Sequence, residues 1–293
     1  MSGIFDSAQV RRSFGRAAAS YDAHAILQEE VQARLQERLD DSKLAPSRIV
    51  DVGSGTGRGT AALRKRFPQA QTIALDLALP MLQAAKKNRG WLRPFARVCG
   101  DTEALPFVDA SVDLLHSNLC LQWSGNLEAA FASFRRVMRA NGLLLFSTFA
   151  PQTLNELRAA FAEVGGGAHV SGFLDIQQIG DAVLAAGFRD PVLERDVFTL
   201  TYPDVRSLMR ELRAIGATNA NRDRSRTLTG KAHLQRVIEA YETFRHEGLL
   251  PATFEVVYAQ AWAPAAGQPI RSGSQDIASF PIDSLRGSRR RRN

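Results

Sequence analysis

The chain reads as an α/β fold in which a mostly parallel sheet carries helices on both faces. Three observations predict it. First, an apolar run ends in an acid and spaced glycines, Arg48-Ile-Val-Asp-Val-Gly-Ser-Gly-Thr-Gly57, the pattern of a buried parallel strand turning sharply into a helix. Second, strand-like apolar runs alternate with helix-like segments as far as residue 149, and such alternation means parallel strands joined by helical crossovers. Third, 293 residues with 45% apolar content can bury one substantial core plus appendages.

Residues 9–39 have helical periodicity, with Phe14, Tyr21, Ile26, Leu27, Val31 and Leu35 as apolar positions, and predict a helical segment ahead of the first strand. Strand 47–52, helix 57–67 and strand 71–76 follow. Helix 79–88, with Pro80 in its first turn, leads to strand 95–99. Strand 112–116, helix 126–139 and strand 142–149 come next, with Asn141-Gly142 as the turn into the last of them. Beyond residue 150 the spacing predicts helix 152–163, a break at Gly165-Gly-Gly167, helix 175–186 stopped by Gly187, and strand 190–200. Residues 203–247 read as helical and basic around a polar loop at 219–226, and 252–262 as a strong final strand. The last thirty residues, rich in Pro, Gly, Ser and Arg, predict a largely disordered tail. The organisation is therefore a helical lid segment 1–45, a cofactor-binding core 46–202, a basic helical insertion 203–250, a last core strand 251–263 and a flexible tail 264–293.

Composition narrows the function. Cys99 and Cys120 both lie in apolar runs and read as core thiols of a reducing compartment, not as a disulfide or a metal pair. No run approaches ~18 consecutive apolar residues, and Met1-Ser-Gly-Ile-Phe-Asp lacks the order of a signal peptide, so the expected location is cytoplasmic, with no membrane partner. The net charge of +7 is uneven. Between Arg206 and Arg236, seven arginines and one lysine face Glu211 and Asp223, giving +6; residues 264–293 add +4. Such a face is either simply solvated or a docking surface for an acidic partner.

The glycine spacing speaks to the cofactor. A dinucleotide site of the form G-x-G-x-x-G needs glycine at 58, where the chain has Arg58. Asp51 ahead of the first glycine suits a cationic or amine-bearing ligand. The D-x-G-x-G-x-G pattern resembles motif I of the class I S-adenosylmethionine methyltransferases; a nucleotide site and a non-catalytic domain of the same build are the alternatives. Asp76 ends the second strand, where a carboxylate can accept both ribose hydroxyls. Asp101, in Gly100-Asp-Thr102, ends the third, and Ser117-Asn118 the fourth. Strand-end Asp and Asn often only cap a turn, but all stand in order at the sheet edge where open α/β folds bind ligands.

Methyl transfer from a sulfonium is an in-line displacement, for which a protein supplies alignment and exclusion of water. None of His24, His116 and His169 reads as a convincing base, and His116 reads as a core histidine. The D/N-P-P-aromatic signature of adenine methylation is absent after the fourth strand, which argues against a nucleic-acid substrate. A carboxylate acceptor is already ionised near neutrality and needs only a cation to hold it, for which the arginines of 206–226 are available.

At this level the resemblance becomes specific. Ser117-Asn-Leu-Cys-Leu-Gln-Trp123 with Gly125-Asn-Leu127, Phe146-Ser-Thr-Phe149 with Thr153-Leu-Asn-Glu-Leu157, Leu208-Met-Arg-Glu-Leu212 leading to Ile215-Gly-Ala-Thr-Asn219, and Leu228-Thr-Gly230 resemble the malonyl-acyl-carrier-protein O-methyltransferases of biotin synthesis. Phe14-Gly-Arg-Ala-Ala-Ala-Ser-Tyr21-Asp fits as well, and the match spans residues 5–262. The resemblance implies a Rossmann-like, mostly parallel seven-stranded sheet with an antiparallel last strand, an N-terminal helical lid and a helical insertion before that strand. It implies S-adenosylmethionine as co-substrate without a metal, and methylation of the free carboxylate of a malonyl thioester on acyl carrier protein or coenzyme A. The neutral ester would then prime pimeloyl synthesis. Acyl carrier proteins are acidic, which would account for the basic 206–236 segment. Carried over, Asp51, Gly53, Ser54, Gly55 and Gly57 surround the methionine moiety; Asp76 with Leu77 takes the ribose; Asp101 and Thr102 take the adenine. Tyr21 closes over the methyl group, Asn118, Gln122 and Trp123 form the opposite wall, and Arg210, with Arg213 and Arg206 behind it, holds the malonyl carboxylate. The tail from Pro264 resembles that of a branch overlapping respiratory-complex assembly proteins. A methyltransferase-like assembly factor and a small-dicarboxylate methyltransferase are therefore the competing functions.

Overall fold

The structure, a computed structural model, describes residues 6–40, 42–165, 172–218, 220, 230–265, 270–272 and 275–277. Seven strands form one sheet: β1 (Arg48–Val52), β2 (Gln71–Asp76), β3 (Ala96–Cys99), β4 (Val112–Ser117), β5 (Met138–Phe149), β6 (Arg189–Tyr202) and β7 (Leu250–Trp262). Their order is β3-β2-β1-β4-β5-β7-β6. The first five strands pair in parallel, whereas β7 is antiparallel to both of its neighbours.

The central strands are apolar on both faces because helices cover both. On one face, Ile49, Leu114, Leu143, Leu145, Val256 and Tyr258 pack with α3 (Ile26–Glu37) and, further along, with α7 (Asn155–Val164) and α10 (Lys231–Glu242). On the other, Val50, Val52, Leu115, Leu144, Phe146 and Val257 meet α6 (Leu127–Val137) and α8 (Ile176–Ala185). Local chemistry sets the helix starts. Asn126 caps α6, Asp175 and Gln178 form a reciprocal capping box on α8, and Asp204 caps α9 (Val205–Ala214).

Several boundaries differ from the sequence expectation for identifiable reasons. The N-terminal segment is three helices, α1 (Ser7–Ala17), α2 (Tyr21–His24) and α3. It breaks where the Ser20 hydroxyl donates to the Ala214 carbonyl of α9 at 2.9 Å, a tertiary bond that no local pattern encodes. Asn141-Gly142 is not a turn before β5 but a distortion within it: Asn141 has φ +61° and its N–H bonds the Ala263 carbonyl. The basic insertion holds α9 and α10, and most of its polar loop lies outside the described residues. Within the expected tail, Ile270–Ser272 and Gln275–Ile277 pair as a short antiparallel hairpin, and residues 278–293 lie outside the description. No helix among the described residues is long and apolar enough to cross a membrane.

The turn from β1 into α4 (Arg58–Arg66) is set by its glycines, and α5 (Leu79–Ala84) follows β2. Gly57 has φ +76°, and a Cβ there would lie 2.8 Å from the Phe95 ring. Gly57→Ala therefore combines left-handed backbone strain with overpacking and is expected to lower stability by about 2–4 kcal/mol. Urea denaturation checks this; a loss under half a kcal/mol would contradict the account.

Candidate active site

Strand ends β1, β2 and β4 converge on a cleft that is partly open to solvent. Its floor is the glycine turn. The N–H groups of Gly53 and Ser54 donate to the Leu75 carbonyl at 2.8 and 3.0 Å, and Gly55 N–H donates to Asp76 Oδ2 at 2.8 Å. Gly53 is required by packing: a Cβ at its φ of +70° would sit 2.3 Å from Cys120 Sγ. Gly55 faces open space up to the Tyr21 ring, 3.9 Å from where its Cβ would be.

The structure brings Tyr21, Gly53, Gly55, Asp76, Leu77, Asp101, Thr102, Asn118 and Trp123 together around this cleft. Asp76 Oδ1 accepts from Ala78 N–H at 2.8 Å. Burial pushes the Asp76 carboxyl up to about 6, against the pull of the Ala78 and Gly55 N–H groups. Each carboxylate oxygen has a second lone pair, so Asp76 can still accept from two hydroxyls. Asp101 Oδ1 takes the Glu103 N–H at 3.0 Å, which braces the following turn. Asn118 is fixed from both ends, donating to the Gln28 carbonyl at 2.9 Å and accepting from Ser147 Oγ at 2.7 Å. Trp123 meets Phe14 edge-to-face at 5.3 Å.

Other expected residues lie elsewhere. Asp51 and Ser54 line a neighbouring polar cleft between α3 and α4, which shares Tyr21, Gly53, Gly55 and Asn118 with the first. Asp51 is buried, and its two oxygens bond Thr60 Oγ1 at 2.5 Å and His116 Nδ1 at 2.8 Å. Gly57 lines neither cleft but lies against Phe95. Gln122 faces a third cavity, walled by Phe14, Tyr21, Leu119, Trp123, Phe149, Leu154, Leu212, Ile215, Ala217 and Phe254, with Gln28 and Thr153 as further polar groups. Arg210 is not brought to any of these. Its side chain is exposed and donates Nη2 to Ser207 Oγ at 2.9 Å. The helix explains this: Val205, Leu208 and Ile215 are buried while Arg206, Arg210 and Arg213 fall on its exposed side.

The sequence predicts an N-terminal helical lid but does not single out several of the residues that line the cleft. Val10, Arg11 and Phe14 of α1 line the cleft, as do Met81, Glu103 and Cys120. Glu103 Oε1 accepts from Ser124 Oγ and Asn126 N–H, joining the loops after β3 and β4. Asp22 accepts from Thr56 Oγ1 at 2.5 Å and pairs with Lys87, tying α2 to the glycine turn. The Ser/Thr-Asp content of these turns was a signal, but without pairing information it could not be assigned.

Neither the thiol nor the phenol here is poised as a base. Burial pushes the Cys120 thiol far up, so it is no thiolate. Burial, followed by the Asp76 and Asp22 charges, does the same to the Tyr21 phenol, which stays a neutral donor. His116 is fully buried, and exposed His24 bonds the Ser20 carbonyl; His169 lies outside the described residues. Among the described residues no group of three or more His, Cys, Asp or Glu is arranged to hold a metal.

Residues 50–146 match a family profile described as "Methyltransferase domain". A Bacillus subtilis protein superposes with TM-score 0.54 at 19% identity, over 79% of this chain and 98% of its own. Phosphoethanolamine N-methyltransferase 2 of Haemonchus contortus, solved with S-adenosyl-L-methionine, superposes with TM-score 0.53 at 16% identity, over 85% of this chain and 57% of its own. Fold and profile together define a class I S-adenosylmethionine-dependent methyltransferase. The malonyl-[acyl-carrier protein] O-methyltransferase of Xylella fastidiosa is 52% identical over 97% of both chains, and that of Laribacter hongkongensis 49% identical over 94% of this chain and 96% of its own. The chain belongs to the malonyl-[acyl-carrier protein] O-methyltransferase family.

Asp76 yields a signed pH prediction. With Asp76 as the acceptor of the ribose hydroxyls, its ionised form accepts them better than the neutral acid, so S-adenosylmethionine affinity should rise with pH through about 6 and be up to roughly tenfold weaker at one unit below that value. Calorimetric titration checks it. Asp76→Asn should bind weakly and lose this dependence; a variant that keeps the wild-type profile would remove Asp76 from the site.

Proposed function

We propose that this protein methylates the free carboxylate of a malonyl thioester, carried on an acidic acyl carrier protein or on coenzyme A, and that the methyl ester primes pimeloyl synthesis in biotin formation. S-adenosylmethionine, when bound, supplies the methyl group on a sulfonium. Asp76 would receive the ribose hydroxyls and Asp101 with Thr102 the adenine edge, while Leu77 and Met81 supply apolar contact. Asp51 lies behind the glycine turn, held by Thr60 and His116.

The observation that carries the reading is the third cavity. It meets the cofactor cleft at Phe14, Tyr21, Leu119 and Trp123, and its far wall is Leu212, Ile215 and Ala217, from segments that resemble the family. Its walls are largely apolar and, among the described residues, carry no cation. That suits a reaction in which opposite charges on donor and acceptor vanish together. Removing water from such a pair weakens solvation of the charged reactants more than that of the less polar transition state. A cationic clamp would have the opposite effect, lowering the nucleophilicity of the carboxylate. Neutral donors are present instead: the Tyr21 hydroxyl, and the remaining N–H of Gln122, whose amide is set by Leu119 O at 2.8 Å and Thr148 Oγ1 at 3.3 Å. Arg206, Arg210 and Arg213 are free to face the carrier protein, where acidic residues would meet them.

The direct test mixes protein, S-adenosylmethionine and malonyl-acyl carrier protein and reads the product mass; the malonyl group should gain one methyl. Absence of that gain beside an active control would reject the proposal. Arg210→Ala should methylate malonyl-coenzyme A within about twofold of wild type, because an exposed charge away from the cavity has little to contribute. Trp123→Ala, which removes a wall common to both cavities, should lower kcat/KM by roughly 10²-fold. The reverse pattern would restore the arginine clamp.

A further inference from the structure

Methyl transfer leaves a second surface of this protein unused. Between Arg58 and Gly100 the chain holds nine arginines and lysines against one acid, Asp76, which is buried at the cleft. Much of this charge gathers where α4 ends and the chain enters β3. Arg64 donates to the Arg93 carbonyl, and Arg93 donates to the Pro68 carbonyl and to Gln69. A Cβ at Gly90 would lie 2.7 Å from the Arg64 guanidinium, so glycine lets the two segments close. These bonds hold residues 89–93 against the α4–β2 corner, at the N-terminal ends of the strands and away from the cleft.

Arg64 and Arg93 spend these bonds on neutral oxygens, which leaves their charge uncompensated. The salt bridges of this region engage Arg58, Arg66 and Lys87, and among the described residues none engages Lys65, Lys86 or Arg89. At the tip, Trp91 is 92% exposed and Leu92 88% exposed. A large apolar pair standing this far out of a basic collar costs hydration free energy unless something covers it.

We propose that this collar, with Trp91 and Leu92 at its tip, docks on an anionic lipid membrane. The geometry favours a bilayer over a folded protein. Both side chains project from the surface, and a headgroup layer admits a tryptophan and a leucine without a preformed pocket. The surrounding cations are drawn to anionic headgroups, and the attraction fades with salt. Docked this way, the cleft opens on the side away from the bilayer and stays accessible to a carrier protein.

Cosedimentation of the full chain with phosphatidylglycerol-containing vesicles tests this, with pure phosphatidylcholine vesicles as the neutral arm. Binding is expected on the anionic vesicles only and should fade at high salt. Trp91→Ser with Leu92→Ser should cut the partition coefficient by about tenfold or more, while leaving the melting temperature and the methylation of malonyl-coenzyme A unchanged. Arg89→Glu with Arg93→Glu should abolish the anionic preference. Failure to bind anionic vesicles, or equal binding by the serine variant, would overturn the proposal. So would a serine variant whose only defect is a raised KM for malonyl-acyl carrier protein, since the surface would then be a protein dock. None of these outcomes depends on the identity of the methyl acceptor.

Discussion

The Asp76 carboxylate holds the site together. One oxygen receives the Gly55 N–H of the β1 turn and the other the Ala78 N–H at the start of the next helix, both at 2.8 Å. Two strand ends are thus tied at one buried charge, and the remaining walls are placed relative to that tie. Cys120 fills the space that Gly53 leaves, Phe95 fills that left by Gly57, and Tyr21 lies over Gly55. A carboxylate this buried is costly to ionise, and its raised proton affinity shows the strain. The two backbone donors offset part of that cost, and hydroxyl donors from a ligand would offset more.

Charge is sorted around this centre by solvent exposure. Aspartates 51 and 76 are buried beneath the turn, held by Thr60, His116 and backbone N–H groups. The Tyr21 phenol and the Cys120 thiol, which also line the first cleft, are kept neutral by burial. The arginines of α9 remain in water because an amphipathic helix cannot bury its apolar and cationic stripes on the same side. The result is a largely apolar cavity beside an acidic cleft floor, under a basic outer surface. That arrangement fits the proposed reaction, in which the charges of donor and acceptor vanish together.

The three glycines show how one motif can serve distinct physical needs. Spacing alone suggests that each lets a ligand approach the backbone. In the fold, Gly53 and Gly57 have positive φ and adjoin side chains that leave no room for a Cβ, so they would be glycine even without a ligand. Only Gly55 keeps the approach open. Similarly, Asp51 reads as a ligand contact from its place in the motif, yet both its oxygens are bonded within the protein.

Much of this protein was legible in its residues. Apolar runs, glycines and caps determined the strands, the helices between them and the strand-end edge at which Asp76, Asp101 and Asn118 would stand, because periodicity, turn chemistry and crossover handedness are local or nearly local constraints. Even the outward set of Arg210 was there to be read, in the spacing of Val205, Leu208 and Ile215. Other features needed the tertiary structure: the break at Ser20, the cover by Val10 and Phe14, the withdrawal of Asp51 behind the turn, and the separation of Gln122 from the cofactor cleft. Each depends on which distant groups a side chain meets, such as Ser20 with Ala214 or Asp51 with His116, and no pattern along the chain specifies a partner 65 or 194 residues away.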